Sequence, residues 1–113
     1  MKELKSIDEL DQAMAESNER PVLLFKHSTT CPISARAFRE FQSYLEEADQ
    51  SVSYNLIIIQ DARAVSDEAS ERLGIEHESP QAVIVRNGRE VWNASHFDIT
   101  RTSLAQAIEN VKG

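Results

Sequence analysis

Val22-Leu23-Leu24-Phe25-Lys26-His27-Ser28-Thr29-Thr30-Cys31-Pro32-Ile33-Ser34 is the stretch on which the fold turns. Pro21 precedes Val22–Phe25, a short apolar run of the kind that makes a strand buried on both faces. Pro32 lacks a backbone N–H, a loss that costs nothing at the first position of a helix. Beyond it Ile33, Ala37, Phe41 and Leu45 recur every four residues, with Phe38 and Tyr44 beside them and Arg36, Arg39, Glu40 and Glu47 elsewhere around the wheel. This spacing predicts an amphipathic helix over about 32–47. The segment therefore reads strand, polar loop, helix, with Cys31 at the last junction.

Working outward, Ser6-Ile7-Asp8-Glu9 has the form of a capping box, and Ile7, Leu10 and Met14 continue at helical spacing over about 7–18. Tyr54–Ile59 is β-branched and bounded by polar residues, which predicts a second buried strand. A helix over about 66–73 ends at Gly74. Pro80 opens the strand Gln81–Val85, Asn87-Gly88 is a tight hairpin turn, and Arg89–Ala94 returns. Leu104, Ala107, Ile108 and Val111 mark a terminal amphipathic helix, entered through Thr100 or a neighbouring polar cap. The order αβαβαββα predicts an α/β sandwich: a central four-stranded mixed sheet with helices on both faces, in one domain over 1–113.

The 113 residues carry 12 Lys and Arg against 19 Asp and Glu, a formal charge of -7. That excess argues against nucleic acid or anionic membrane surfaces as partners, since both call for a basic face. Apolar runs such as Leu56–Ile59 are far too short to span a bilayer, and residues 1–20 are polar and acidic rather than leader-like. With one cysteine no internal disulfide can form, so a reducing cytoplasm is the expected setting. His27, Cys31, His77 and His96 show no metal-ligand spacing, so no metal is expected.

Cys31 carries the chemistry. At a helix N-terminus, unpaired N–H groups and the positive end of the dipole favour an anion, and the thiolate is the nucleophile in disulfide exchange. His27 and Lys26, four and five residues upstream, would add positive potential if turned toward the sulfur, and Ser34, one helical turn on, is placed to donate a hydrogen bond to the thiolate. Arg36 and Arg39 read as a solvated helix face.

Leu24 through Ser34 resembles the active-site region of the monothiol bacilliredoxins, within the thioredoxin-like superfamily. In that comparison Cys31-Pro32-Ile33-Ser34 is a C-x-x-C motif whose second cysteine is serine, and Ser79-Pro80 corresponds to the cis-proline turn that faces the thiol. The resemblance implies a thioredoxin-like three-layer sandwich. It also implies an enzyme that removes bacillithiol, a low-molecular-weight thiol, from proteins carrying it as a mixed disulfide. Cys31 would be the nucleophile, Pro32 would start the helix, and Lys26, Thr30, Ser79 and Pro80 would line the substrate side. Bacillithiol is then a co-substrate, with no tightly bound cofactor. The implied partners are bacillithiolated proteins and, downstream, a second bacillithiol or another reductase to clear Cys31. The competing reading is a non-catalytic thiol sensor or adaptor modified at Cys31 under oxidative stress.

Overall fold

A computed structural model describes residues 1–112. In chain order the elements are β1 (Lys2–Glu3), α1 (Ile7–Glu16), β2 (Val22–His27), α2 (Pro32–Leu45), β3 (Ser53–Ile58), α3 (Arg63–Leu73), β4 (Gln81–Arg86), β5 (Arg89–Ser95), a 3-10 turn (His96–Asp98) and α4 (Arg101–Lys112). The sheet order is β1-β3-β2-β4-β5. β3 runs parallel to both β1 and β2, as a helical crossover requires, and β4 and β5 add antiparallel pairs.

The three-layer α/β arrangement is the one anticipated, with five strands in place of four. The extra strand, β1, pairs only Lys2 with Asn55 and Glu3 with Leu56. Two residues have no periodicity to read. The hairpin forms at Asn87-Gly88, where φ is +55° and +74°, the left-handed region that such a turn demands.

Alternation along β2 divides the core in two. Leu23 and Phe25 face α2 and α4, where they meet Ala37, Phe41, Leu104 and Ile108, and the Phe25 and Phe41 rings stack at 4.7 Å. Val22 and Leu24 face α1 and α3, among Leu10, Ala13, Val65 and Ala69. Among the described residues no helix is long and apolar enough to cross a membrane.

The start of α1 bears out its capping box. Ser6 Oγ accepts the Glu9 N–H at 3.2 Å, and Glu9 Oε1 accepts the Lys5 N–H at 2.8 Å. Ser6→Ala is expected to lower stability by about 1 kcal/mol, seen as a lower urea midpoint at unchanged slope. By contrast α3 starts at Arg63, earlier than the spacing suggests, and its N-cap Ala62 makes no side-chain capping bond that would mark this start in the sequence.

Candidate functional site

The segments that carry the candidate residues meet at the C-terminal end of β2, but their side chains divide between the two faces of the sheet. This strand runs two residues beyond its apolar stretch, through Lys26 and His27, and all six of its residues are buried. After the loop Ser28–Thr30, Cys31 is the N-cap of α2 and Pro32 its first helical residue. The Cys31 backbone is extended (φ -101°, ψ 122°) and its carbonyl accepts the Ala35 N–H at 3.0 Å, while its side chain makes no capping bond. Cys31 is partly exposed. An electron-rich sulfur thus stands at the start of a helix whose first-turn N–H groups have no side-chain acceptor.

The Ser34 hydroxyl does not serve the sulfur in the way the spacing suggested. It is fully buried, accepts the Ser28 N–H at 2.9 Å and bonds His27 Nδ1 at 2.7 Å. An inward-facing first turn of α2 turns this side chain toward the sheet. Ser34 therefore fastens the loop before Cys31 to the helix after it.

His27 is similarly committed: its ring stacks on Phe38 at 4.5 Å, and burial lowers its pKa, which favours the neutral ring. It is a neutral partner of Ser34, not a source of positive potential.

Lys26 departs furthest from expectation. Adjacent strand residues face opposite sides of a sheet, so with His27 under α2, Lys26 must point to the α3 side. Its side chain is 1% exposed. The ammonium donates to Ser66 O (2.9 Å), Ser70 Oγ (2.5 Å) and His77 Nδ1 (3.2 Å). Lys26 is consequently neither on the substrate side nor turned toward the sulfur.

Ser79-Pro80 is a cis peptide, as the resemblance implied. The register brings it to the right end of the sheet: Gln81 lies opposite Lys26, so Pro80 precedes β4 where β2 gives way to the cysteine loop. The Pro80 carbonyl accepts the His96 N–H at 3.1 Å, and the exposed Phe97 next to it carries Arg36 over its ring at 5.3 Å.

One residue of the site is not singled out by spacing and motif alone. Gln60 lies just past the parallel neighbour β3, and its amide clamps the loop before Cys31. Its Oε1 accepts the Thr29 N–H at 3.1 Å, and Nε2 donates to Ser28 Oγ at 2.9 Å and to the exposed Thr30 Oγ1 at 3.2 Å. The three histidines are held apart on separate partners: His27 on Ser34, His77 on Lys26, and His96 on Glu78. Among the described residues no three His, Cys, Asp or Glu side chains converge as a metal site.

A sheet of this order, a lone cysteine capping the helix after its central strand, and a cis-proline turn at the same end define the class of thioredoxin-fold thiol proteins. Solved thioredoxins share the fold across nearly the whole chain. That of Fasciola hepatica has a TM-score of 0.75 at 17% identity, covering 97% of this chain and 98% of its own. Mitochondrial thioredoxin 3 of Saccharomyces cerevisiae has a TM-score of 0.76 at 13% identity, covering 97% and 94%. A solved chain described as a candidate oxidoreductase with a thioredoxin fold is 42% identical, with a TM-score of 0.82, covering 94% of this chain and 91% of that one. The sequence profile of monothiol bacilliredoxin BrxC matches residues 2–104, and the chain belongs to the monothiol bacilliredoxin family. Family and fold together give it a thiol redox role.

Proposed function

We propose that the protein is a monothiol–disulfide oxidoreductase that removes bacillithiol from protein mixed disulfides, with Cys31 as its nucleophile. The observation that carries the reading is the placement of the chain's one thiol, partly exposed, as the N-cap of α2. Membership of the monothiol bacilliredoxin family supports bacillithiol as the thiol removed.

The chemistry balances in two exchanges. The Cys31 thiolate attacks the bacillithiol sulfur of the modified protein. The Cys31–bacillithiol disulfide forms, the old disulfide breaks, and the target cysteine leaves as a thiolate that takes a proton from water. With serine at position 34, no internal thiol can then attack Cys31. A second bacillithiol thiolate therefore does so from solution, releasing bacillithiol disulfide and regenerating the Cys31 thiolate. Bacillithiol is a co-substrate in this scheme, and bacillithiolated proteins are the partners. Pro80 and Thr30 flank the path of the incoming chain. Ser34 and His27 hold the loop and the first turn of α2 in register.

Incubating the protein with a bacillithiolated target is expected to release the modifier and to leave its mass on the Cys31 peptide. With excess bacillithiol, many equivalents of target should be processed per enzyme. One stoichiometric transfer without recycling would indicate a sensor or adaptor instead, and no transfer at all would sink both readings.

A further inference from the structure

The connection between α3 and β4, residues 74–80, ends in the cis-proline turn and has no regular structure of its own. It is held from beneath by two buried polar side chains that lie side by side in the sheet, since Lys26 and Gln81 are register partners. From β2, Lys26 Nζ reaches His77 Nδ1 at 3.2 Å; from β4, Gln81 Nε2 reaches Glu76 O at 3.1 Å. Lys26 also grips α3 at Ser66 O and Ser70 Oγ. Lys26 is almost wholly shielded from water, where burying an ammonium is costly. A methionine or leucine would fill the same space without that cost. The charge therefore calls for an explanation beyond packing.

We propose that Lys26 is a positioning residue: its buried ammonium ties the His77 loop to the sheet and thereby sets Pro80 beside Cys31 for disulfide exchange. This rests on the reading of Cys31 as the exchanging thiol. An ammonium only donates, so His77 Nδ1 must accept and its proton must sit on Nε2. Burial and the Lys26 charge both lower the pKa of His77, which keeps the ring in that accepting form. Asp67, Arg63 and Glu78 complete the charges around it. Lys26 touches no reacting atom. Its effect passes through His77, Glu78 and Ser79 to the proline.

The test pairs Lys26→Met with His77→Ala, which cuts the tether from the other end and leaves Lys26 its two α3 acceptors. Both variants are expected to transfer a thiol from a protein mixed disulfide at least about tenfold more slowly, the scale that small misplacements in an active site produce. Alkylation of Cys31 by iodoacetamide, which needs no proline turn, should stay within about two-fold of wild type. The double variant should be no slower than the slower single one, because both cut one connection. Nitrogen NMR of the wild-type His77 ring should show the Nε2–H tautomer.

A smaller loss of transfer in both single variants overturns the proposal, and so does an equal fall in alkylation. A wild-type ring protonated at Nδ1 overturns the tether whatever the activity. If wild-type protein exchanges no disulfides, the functional reading fails on its own, and the His77 tautomer still decides whether the tether exists.

Discussion

Cys31→Ser should abolish bacillithiol transfer and at the same time stabilise the fold. The loss is complete because no other residue of the chain can form a disulfide. A serine hydroxyl is not ionised at neutral pH, and the intermediate on Cys31 has no oxygen counterpart under these conditions. The gain follows from the same position. Cys31 is the N-cap of α2 without a capping bond, in the extended conformation that N-caps adopt, and serine is among the best residues for that role. Its hydroxyl can accept the N–H of Ile33 or Ser34, which is expected to add about 1 kcal/mol. Cys31→Ala should lose the activity equally and gain nothing. Urea unfolding of the three proteins, read beside the transfer assay, separates the effects. A Cys31→Ser protein that is both inactive and markedly less stable would indicate a packing role for the thiol and would falsify this account. The sulfur occupies a place where oxygen serves the helix better, which argues that reactivity decides the residue.

The same stretch shows how far the sequence could be read. Strand, loop and helix followed from an apolar run, a proline and a four-residue repeat, and the positions of Cys31 and Pro32 at the helix start followed with them. What failed was the end of β2. Lys26 and His27 are polar and follow Phe25, so they read as part of the loop around the thiol. The strand instead continues through them, and alternation sends one side chain to each face. Applying the two-residue period one step further shows that they could not both have turned toward Cys31.

Ser34 was found by spacing, but its partners were not, because the inward turn of α2 is set by Phe38 and Phe41 packing on Phe25. Gln60 and His77 were beyond reach for another reason. They contact residues about thirty and fifty positions away, and nothing local marks them. Gln60 lies two residues past β3 and His77 four residues before β4, at the end of the sheet where the parallel β2–β3 pair and the antiparallel β2–β4 pair bring these segments together. Polar residues in the two positions after a strand that neighbours the cysteine strand are the signal to look for in such a chain.

The buried lysine also predicts how stability should depend on pH. Burial pushes Lys26 down from the usual 10.5 to about 8, with Asp67 opposing the shift only in part. Between those two values the unfolded chain keeps the proton on this lysine and the folded protein has shed it. Stability therefore rises with pH through that window, because the unfolded state binds more protons. Below pH 8 both states carry the charge, and the folded state bears the full cost of burying it.

From pH 8 to 10 the lysine contribution should amount to about 2 to 3 kcal/mol, each pH unit being worth about 1.4 kcal/mol. Above pH 10 Tyr54 acts in the opposite sense. Burial and its hydrogen bond with Tyr44 raise its pKa, so the folded state keeps a proton that the unfolded chain loses. The measurement is the difference in unfolding free energy between wild type and Lys26→Met at each pH, in which groups common to both cancel. That difference should move in favour of wild type by about 2 to 3 kcal/mol between pH 8 and 10. A difference that stays flat would mean that the ammonium keeps its ordinary affinity for the proton despite burial. Together with a slow Lys26→Met enzyme, the expected slope would show a charge retained at a cost to stability for the sake of the proline loop.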